Sequence, residues 1–256
     1  MTDGQLADDL DADRLRTEML AVLSHELNTP LAAIKGYLTA MLLEEVSWTA
    51  EKREEFLRLM LAEVENLQAM ISSILDSARV EFDQMEIEPQ PLRLPRLARE
   101  VTDEMQQRSS IHRFILDFPR DFPLVDADPR RIKQVLRNLL DNAVKYSPDG
   151  GLIVVRGAVR PDDVVVSIAD QGVGISPEDL IPLFDKFFRA KSLAARRVAG
   201  VGLGLPVSRA IVEAHGGRIW AESALGEGTT LYFSLPREGL STSMPAADPN
   251  NAEEQP

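Results

Sequence analysis

The sequence predicts an α+β chain: a helical hairpin that completes a dimeric four-helix bundle with a second copy, followed by an α/β sandwich. Three observations carry this. Apolar residues recur at steps of three and four through residues 20–42 and again through 56–78, the pattern of two amphipathic helices. Pro89, Pro91 and Pro95 then punctuate the chain and mark a linker or edge strand into a second domain. Beyond them, strand and helix patterns alternate in an order that reads as a mixed sheet with helices on one face.

The elements follow in order. Residues 1–14 are polar and acidic and are expected to fray. The first helix begins near Leu15, with Leu20, Leu23, Leu27, Leu31, Ile34, Leu38 and Leu42 as its buried stripe, and Leu15, Met19 and Val22 could extend a stalk upstream. A polar stretch at Ser47–Glu51 turns the chain, with Thr49 as N-cap. The second helix carries Phe56, Met60, Val64, Leu67, Ile71, Ile74 and Ala78 and runs to about Glu81. A lone hairpin of two such helices buries too little; two hairpins bury both stripes, so a homodimer is expected.

In the second domain, helices are expected at Leu94–Arg108, Pro129–Lys145 and Leu203–Ala214. Strands are expected at Arg113–Phe118, Leu152–Val159, Val164–Ala169, Arg218–Glu222 and Thr229–Leu235. After Pro236 the tail is poor in apolar residues and reads as disordered. The divisions are therefore 1–14 (disordered or the start of a stalk), 15–85 (hairpin), 86–237 (sandwich) and 238–256 (tail).

Composition narrows the class. A chain of 256 residues holds one large or two modest domains. It has no cysteine, so neither disulfides nor thiolate metal sites support it, and a reducing compartment suits it. No apolar run approaches the length needed to span a bilayer, and the acidic start is no signal peptide. A net charge of −13 argues against nucleic acid as a partner. A cytoplasmic protein is expected.

His25 is the residue that the helix pattern singles out. At about 100° per residue it lies roughly 200° from both Leu23 and Leu27, on the face opposite the stripe, where water reaches it. Glu26 stands beside it and can bond the imidazole or take its proton, leaving the other nitrogen as a nucleophile. Thr29 lies one turn on, a hydroxyl on the same face, and Pro30 removes the N–H that would bond the Glu26 carbonyl, so the helix is expected to kink just past His25. A surface histidine without a role is the plainer reading of such a residue alone, and Thr29 could equally serve only the backbone around Pro30.

Four short motifs follow in the second domain. RNLLDNAVKYSPDG places Asn138 and Asn142 four apart on one helix face, with Lys145 and Tyr146 a turn beyond. An amide carbonyl is a hard oxygen ligand suited to Mg²⁺, which typically takes few protein ligands plus phosphate oxygens and water. Lys145 can meet phosphate charge, and Tyr146 can pack on a ribose or base. Asp170-Gln171-Gly172-Val173-Gly174 ends a Val/Ile-rich strand; its carboxylate can accept from an exocyclic amine, and its glycines permit close backbone approach. A plain Asp-Gly turn is the plainer reading. LFDKFFRA offers an aromatic anchor with Lys186 and Arg189 projecting charge. Gly202, Leu203 and Gly204 open a helix whose N–H groups and dipole favour an anion. The stretch between Ala190 and Gly200, with Lys191, Arg196 and Arg197, reads as a lid over a triphosphate or as a solvated basic loop.

SHELNTPL closely resembles the H-box of sensor histidine kinases, the first three later motifs resemble that family's N-box, G1 box and F-box, and the fourth is a glycine-rich loop opening a helix. From about residue 15 to 237 the chain resembles the catalytic core of such a kinase, and its second half resembles the ATPase fold shared with type II topoisomerases and MutL-type proteins. The resemblance implies an ATP- and Mg²⁺-dependent protein-histidine kinase: His25 accepts the γ-phosphoryl group, and Glu26 is base or orienting group. Asn138, Asn142, Lys145, Tyr146, Asp170, Gly172, Gly174, Lys186, Arg189, Gly202, Leu203 and Gly204 contact the nucleotide, and Asn142 holds the metal. It implies a response-regulator receiver domain as the acceptor from His25, Thr29-dependent removal of phosphate from that regulator, and an upstream sensor domain or partner outside this chain. The site would then be the cytoplasm, or the cytoplasmic part of a membrane-associated sensor. Asn28 stands where most members carry Arg, and Arg137 where many carry His. A docking scaffold with weak kinase activity and an ATP-driven clamp are the rival readings; the clamp needs no His25.

Overall fold

The computed structural model describes residues 23–43, 46–81, 86–190 and 201–237. The expected frayed start, the upstream stalk, the lid with Lys191, Arg196 and Arg197, and the tail from 238 onward lie outside the described residues.

Helix α1 covers residues 23–41 and runs through Pro30 without a break. The hairpin turn is held by named groups. Trp48 Nε1 donates to the Ala40 carbonyl at 2.9 Å, and its ring meets Phe56 edge-on at 5.1 Å. Tyr37 packs on the same phenyl at 5.5 Å. Thr49 caps α2 (Ala50–Glu81), its hydroxyl accepting the Lys52 N–H at 3.2 Å, as the sequence implied.

The helix stripes differ from expectation. Leu23 and Met60 are buried, yet Leu31, Leu38, Leu42, Val64 and Ile71 of the expected stripes are exposed, together with Leu57, Leu61 and Leu75. The reason is geometric: each helix has one side against its own chain and another side left open. The buried side of α2 also takes in Asp76 and Ser77, which an apolar pattern does not find.

The second domain begins with a ribbon, of which the sequence reading allowed the edge strand among the prolines but missed the partner strand. Strand β1 (Gln90–Leu92) pairs antiparallel with β3 (Val125–Ala127), which follows α3 (Leu94–Arg108) and β2 (His112–Asp117). Three-residue strands are too short to show a period of two. Next come α4 (Pro129–Lys145), β4 (Gly151–Val159), β5 (Asp163–Ala169), the short α5 (Pro177–Leu180), α6 (Gly204–Ala214), β6 (Ile219–Ala224) and β7 (Gly228–Pro236). The main sheet has the order β2-β4-β5-β7-β6, with β2 parallel to β4 and the remaining pairs antiparallel. Leu97 and Val101 of α3, Ile132, Leu136 and Leu139 of α4, and Val207 and Ile211 of α6 pack with Ile153, Ile168 and Phe233 of the sheet into one core. This is the α/β sandwich expected.

One knot of polar groups ties the linker, α4 and α6 together. Asp128 caps α4: Oδ1 accepts from the Arg130 and Arg131 N–H groups at 2.9 and 3.2 Å, and Oδ2 accepts from the Glu88 N–H at 3.1 Å. The Asp128 N–H in turn donates to Nε2 of His215 at 2.9 Å, while His215 Nδ1 donates to the Ile211 carbonyl at 2.7 Å. Burial pushes His215 below its ordinary value of 6.5, so the ring is neutral. The unfolded chain then takes up a proton that the folded chain refuses, and stability is lost as pH falls below 6.5. Burial pushes the Asp128 carboxyl up, but the three backbone donors outweigh it and hold it below 3.8; its contribution is present at neutral pH and is lost only in stronger acid. The thermal midpoint, measured by circular dichroism, should therefore drop between about pH 7 and pH 5. In His215→Gln the midpoint should be lower at neutral pH and the slope across that range shallower. An unchanged slope would show that His215 does not set it.

Candidate active site

A cavity of about 1000 Å³ lies between the hairpin and the sandwich. Its walls come from both. His25, Glu26, Thr29 and Pro30 of α1 and Met70 and Ser73 of α2 form one side; Asn138, Asp141, Asn142 and Lys145 of α4, then Tyr146, Asp170, Gly174, Arg189, Gly202, Leu203, Gly204 and Thr229 form the other.

On the hairpin side the His25 imidazole is 80% exposed and the Glu26 carboxylate 12%. Their nearest atoms, Nδ1 and Oε1, stand 4.0 Å apart, longer than the hydrogen bond the sequence reading allowed. Glu26 Oε1 also faces Arg189 Nη1 at 3.5 Å. The guanidinium and the imidazole thus share one carboxylate. Thr29 Oγ1 donates to the His25 carbonyl at 3.1 Å, a local backbone bond of the kind hydroxyls make inside helices.

On the sandwich side the geometry centres on Asp170, at the end of β5. Oδ1 accepts from the Gly172 N–H at 2.8 Å and from the Thr229 N–H at 3.2 Å. Burial raises its pKa, and these two donors offset the rise only in part. Gly172 and Gly174 earn their places by close approach. A Cβ on Gly172 would stand 2.2 Å from the Tyr146 carbonyl oxygen, and one on Gly174, where φ is +68°, 2.0 Å from the Ala224 carbonyl oxygen. Gly202 has φ +74° and backs onto the Phe187–Phe188 backbone, and α6 starts two residues later. Lys145 Nζ meets Asp141 Oδ2 at 2.9 Å at the rim.

Three expected contacts turn out differently. Lys186 is not on the cavity wall; its Nζ reaches the Ser77 carbonyl of α2 at 3.4 Å. Gly172 also stands off the wall and acts by letting the Tyr146 carbonyl pass. Asn138 lines the cavity, but its amide donates to the Gly204 carbonyl at 3.1 Å and the Ser208 hydroxyl at 3.2 Å, fixing α4 to the start of α6. The sequence reading missed Thr229, whose place in a Thr-Thr strand looks like ordinary β structure. It also missed Asp76, Arg131 and Gln134: Asp76 is 6% exposed, with Arg131 Nη1 at 2.9 Å and Gln134 Nε2 at 2.7 Å. No local pattern flags partners more than fifty residues apart.

Two family models match the chain, one on each side of the cavity. Residues 15–82 match the His Kinase A (phospho-acceptor) domain, and residues 127–239 match the Histidine kinase-, DNA gyrase B-, and HSP90-like ATPase family. The chain belongs to the sensor histidine kinase family. Sensor histidine kinase WalK of Bacillus subtilis (strain 168) is 33% identical over 228 residues, covering 88% of this chain and 37% of the relative. The chain thus spans little more than a third of that relative's length. Acinetobacter baumannii histidine kinase AdeS superposes with a TM-score of 0.64 at 25% identity, covering 84% of this chain and 98% of that structure. Histidine kinase ThkA, solved in complex with response regulator protein TrrA, superposes with a TM-score of 0.63 at 26% identity, covering 93% of this chain and 68% of ThkA.

The expectation that Asp170 accepts an adenine amine has, through its raised pKa, a direct consequence. A carboxylate accepts from an amine better than a carboxylic acid does, and Asp170 protonates at a higher pH than an ordinary aspartate. ATP affinity, measured by calorimetry, should therefore begin to fall at a higher pH than an exposed carboxylate would cause. Asp170→Asn should flatten that dependence and weaken ATP binding roughly ten- to a hundredfold, as expected from about 1.5–3 kcal/mol for a charge-assisted hydrogen bond. GTP, which presents a carbonyl in place of the amine, should bind far more weakly than ATP to the unmodified protein. Comparable ATP and GTP affinities would contradict this placement of Asp170.

Proposed function

We propose that this chain is an ATP-dependent protein-histidine kinase that phosphorylates His25 and passes the phosphoryl group to an aspartate of a response-regulator receiver domain. The observation that supports it best is the single cavity lined by His25 and Glu26 at one end and by Asn142, Asp170 and the Gly202–Gly204 loop at the other. Phosphoryl transfer depends on positioning and charge neutralisation rather than on covalent chemistry by the protein. Here an exposed imidazole faces the site where the triphosphate would lie against the start of α6.

Each residue then has a role. The imidazole attacks the γ-phosphorus through one ring nitrogen, the bond from that phosphorus to the β,γ-bridging oxygen breaks, and ADP leaves. The proton on the other nitrogen can be held or taken by Glu26, whose carboxylate Arg189 keeps in place. Asp170 receives the adenine amine, and Tyr146 and Leu231 line the same wall. Among the described residues no group of three or more His, Cys, Asp or Glu side chains converges on a metal-sized site. Mg²⁺ would be held mainly by phosphate oxygens and water, with the amide oxygen of Asn142 on the cavity wall as the protein's ligand. Mg²⁺ there would neutralise phosphate charge.

The partners follow from the surface. Leu31, Leu38, Leu57, Leu61 and Leu75 are exposed on the hairpin, and a second hairpin would bury them in a four-helix bundle. The regulator would dock on the α1 face that carries His25. No described helix is long and apolar enough to cross a membrane. A sensor segment or partner beyond this chain would supply the signal. The proposed domain limits are those of the sequence reading, 15–85 and 86–237.

Incubation with γ-labelled ATP should give acid-labile label on the wild-type chain and none on His25→Gln, with ATP affinity of the variant nearly unchanged. Equal labelling of the two would overturn the assignment. Thr29 and Glu26 separate the forward and reverse reactions. Thr29→Ala should leave autophosphorylation largely intact and slow removal of phosphate from the regulator, while Glu26→Ala should impair autophosphorylation as well. Parallel loss of both activities in Thr29→Ala would show that its bond to the His25 carbonyl is its whole role.

A further inference from the structure

We infer that Ser147 is a positioning residue for the nucleotide site: its hydroxyl donates to the Asp170 carboxylate from behind the cavity wall and holds that group as the acceptor for the base. This rests on the kinase reading above, because Asp170 has that task only if the site takes ATP.

Ser147 stands two residues past the end of α4, behind the cavity wall rather than on it. It is 2% exposed, and its buried Oγ makes no hydrogen bond of ordinary geometry within the chain. A buried hydroxyl left in that state is costly, and the turn after β5 puts an acceptor in front of it. The point where a Cβ would stand on Gly172 is 2.8 Å from Ser147 Oγ and 2.8 Å from Asp170 Oδ1. The absence of a side chain on Gly172 therefore leaves the hydroxyl and the carboxylate facing each other across open space. Any other residue there would come between them.

The backbone that carries Ser147 is held firmly. His112 Nε2 donates to the Ser147 carbonyl at 2.9 Å, and the Ser109 hydroxyl meets Nδ1 of the same ring at 2.6 Å. The Gly150 N–H donates to the Ser147 carbonyl at 3.0 Å, and the Val173 N–H to the Tyr146 carbonyl at 3.0 Å. The last of these bonds ties the end of α4 to the turn that follows Asp170. Ser109 and His112 are themselves buried, so their use is to place Ser147, not to meet a ligand.

A titration follows from this geometry. Burial raises the Asp170 pKa, and the Gly172 N–H, the Thr229 N–H and the Ser147 hydroxyl each work against the rise. Removing the hydroxyl leaves burial less opposed, so the carboxyl takes up its proton at a higher pH. The other charged and titratable groups around it are Lys145 and Asp141, paired at 2.9 Å, Glu26 and Arg189, at 3.5 Å, His25 on the hairpin wall, and His112 behind Ser147. A substitution at Ser147 leaves all of them in place, and a shift between variant and wild type reports on Asp170.

ATP affinity is measured by calorimetry between about pH 8 and pH 5 on the wild-type chain, Ser147→Ala, Asp170→Asn and the double variant. Ser147→Ala should bind ATP roughly three- to tenfold more weakly, the span that one hydrogen bond covers, and its affinity should begin to fall at a higher pH than that of wild type. In the Asp170→Asn background the same substitution should change neither the affinity nor its pH dependence. Carboxyl-carbon NMR on the nucleotide-free chain should show Asp170 titrating at a higher pH in Ser147→Ala. An unmoved titration, or an equal loss of affinity in both backgrounds, would overturn the inference and leave Ser147 a part of the fold alone. A wild-type chain that binds no ATP would overturn the kinase reading itself, and this inference with it.

Discussion

Helix α4 must satisfy three surroundings at once, and the rest of the architecture depends on its doing so. Ile132, Val135, Leu136, Leu139 and Leu140 are fully buried in the core. Asn138, Asn142 and Lys145 face the cavity. Arg131 and Gln134 hold Asp76 of the hairpin. A 17-residue helix can present all three faces only if its start and its rotation are fixed. The start is fixed by the Asp128 cap and the His215 bond behind it; the rotation is fixed by burial and by the Asn138 amide on Gly204 and Ser208. A slip of one residue would turn the helix by about 100° and break every one of these contacts.

The junction between the two domains is polar where it is deepest. A carboxylate that is 6% exposed is tolerable only while its cation and amide partners stay in place. That makes the docked arrangement specific, because a domain shifted along α2 would strand Asp76. The same contacts bring Arg189 against Glu26, so the carboxylate beside His25 is itself held from the ATPase domain. The proposed chemistry at His25 would thereby be coupled to where the second domain sits.

Much of this was legible in the sequence, for identifiable reasons. Helices with long apolar periods, such as Ala50–Glu81 and Pro129–Lys145, announce themselves, and Thr49 and the prolines mark their starts. His25 was legible because it breaks the stripe, and Asp170 and Gly174 because a carboxylate and tight glycines end an apolar strand. Three-residue strands such as Val125–Ala127 carry too few side chains to show a period. Thr229 hides among β-branched strand residues. The Asp76–Arg131–Gln134 contact and the redirected Lys186 depend on how two separately folded pieces meet, which no local pattern encodes. Exposure of Val64 and Ile71 in the single chain is of the same kind: periodicity identifies an apolar face, not which partner covers it.

The central claim is that the exposed imidazole of α1 is the phosphoryl acceptor for a nucleotide held in the shared cavity. The most direct measurement locates the phosphate. After incubation with Mg·ATP, the chain is digested at neutral to mildly alkaline pH and the modified peptide sequenced by electron-transfer mass spectrometry. The account predicts phosphate on His25, within the peptide that also holds Ser24 and Thr29. Phosphate on either hydroxyl, or at a residue away from the cavity, would contradict it.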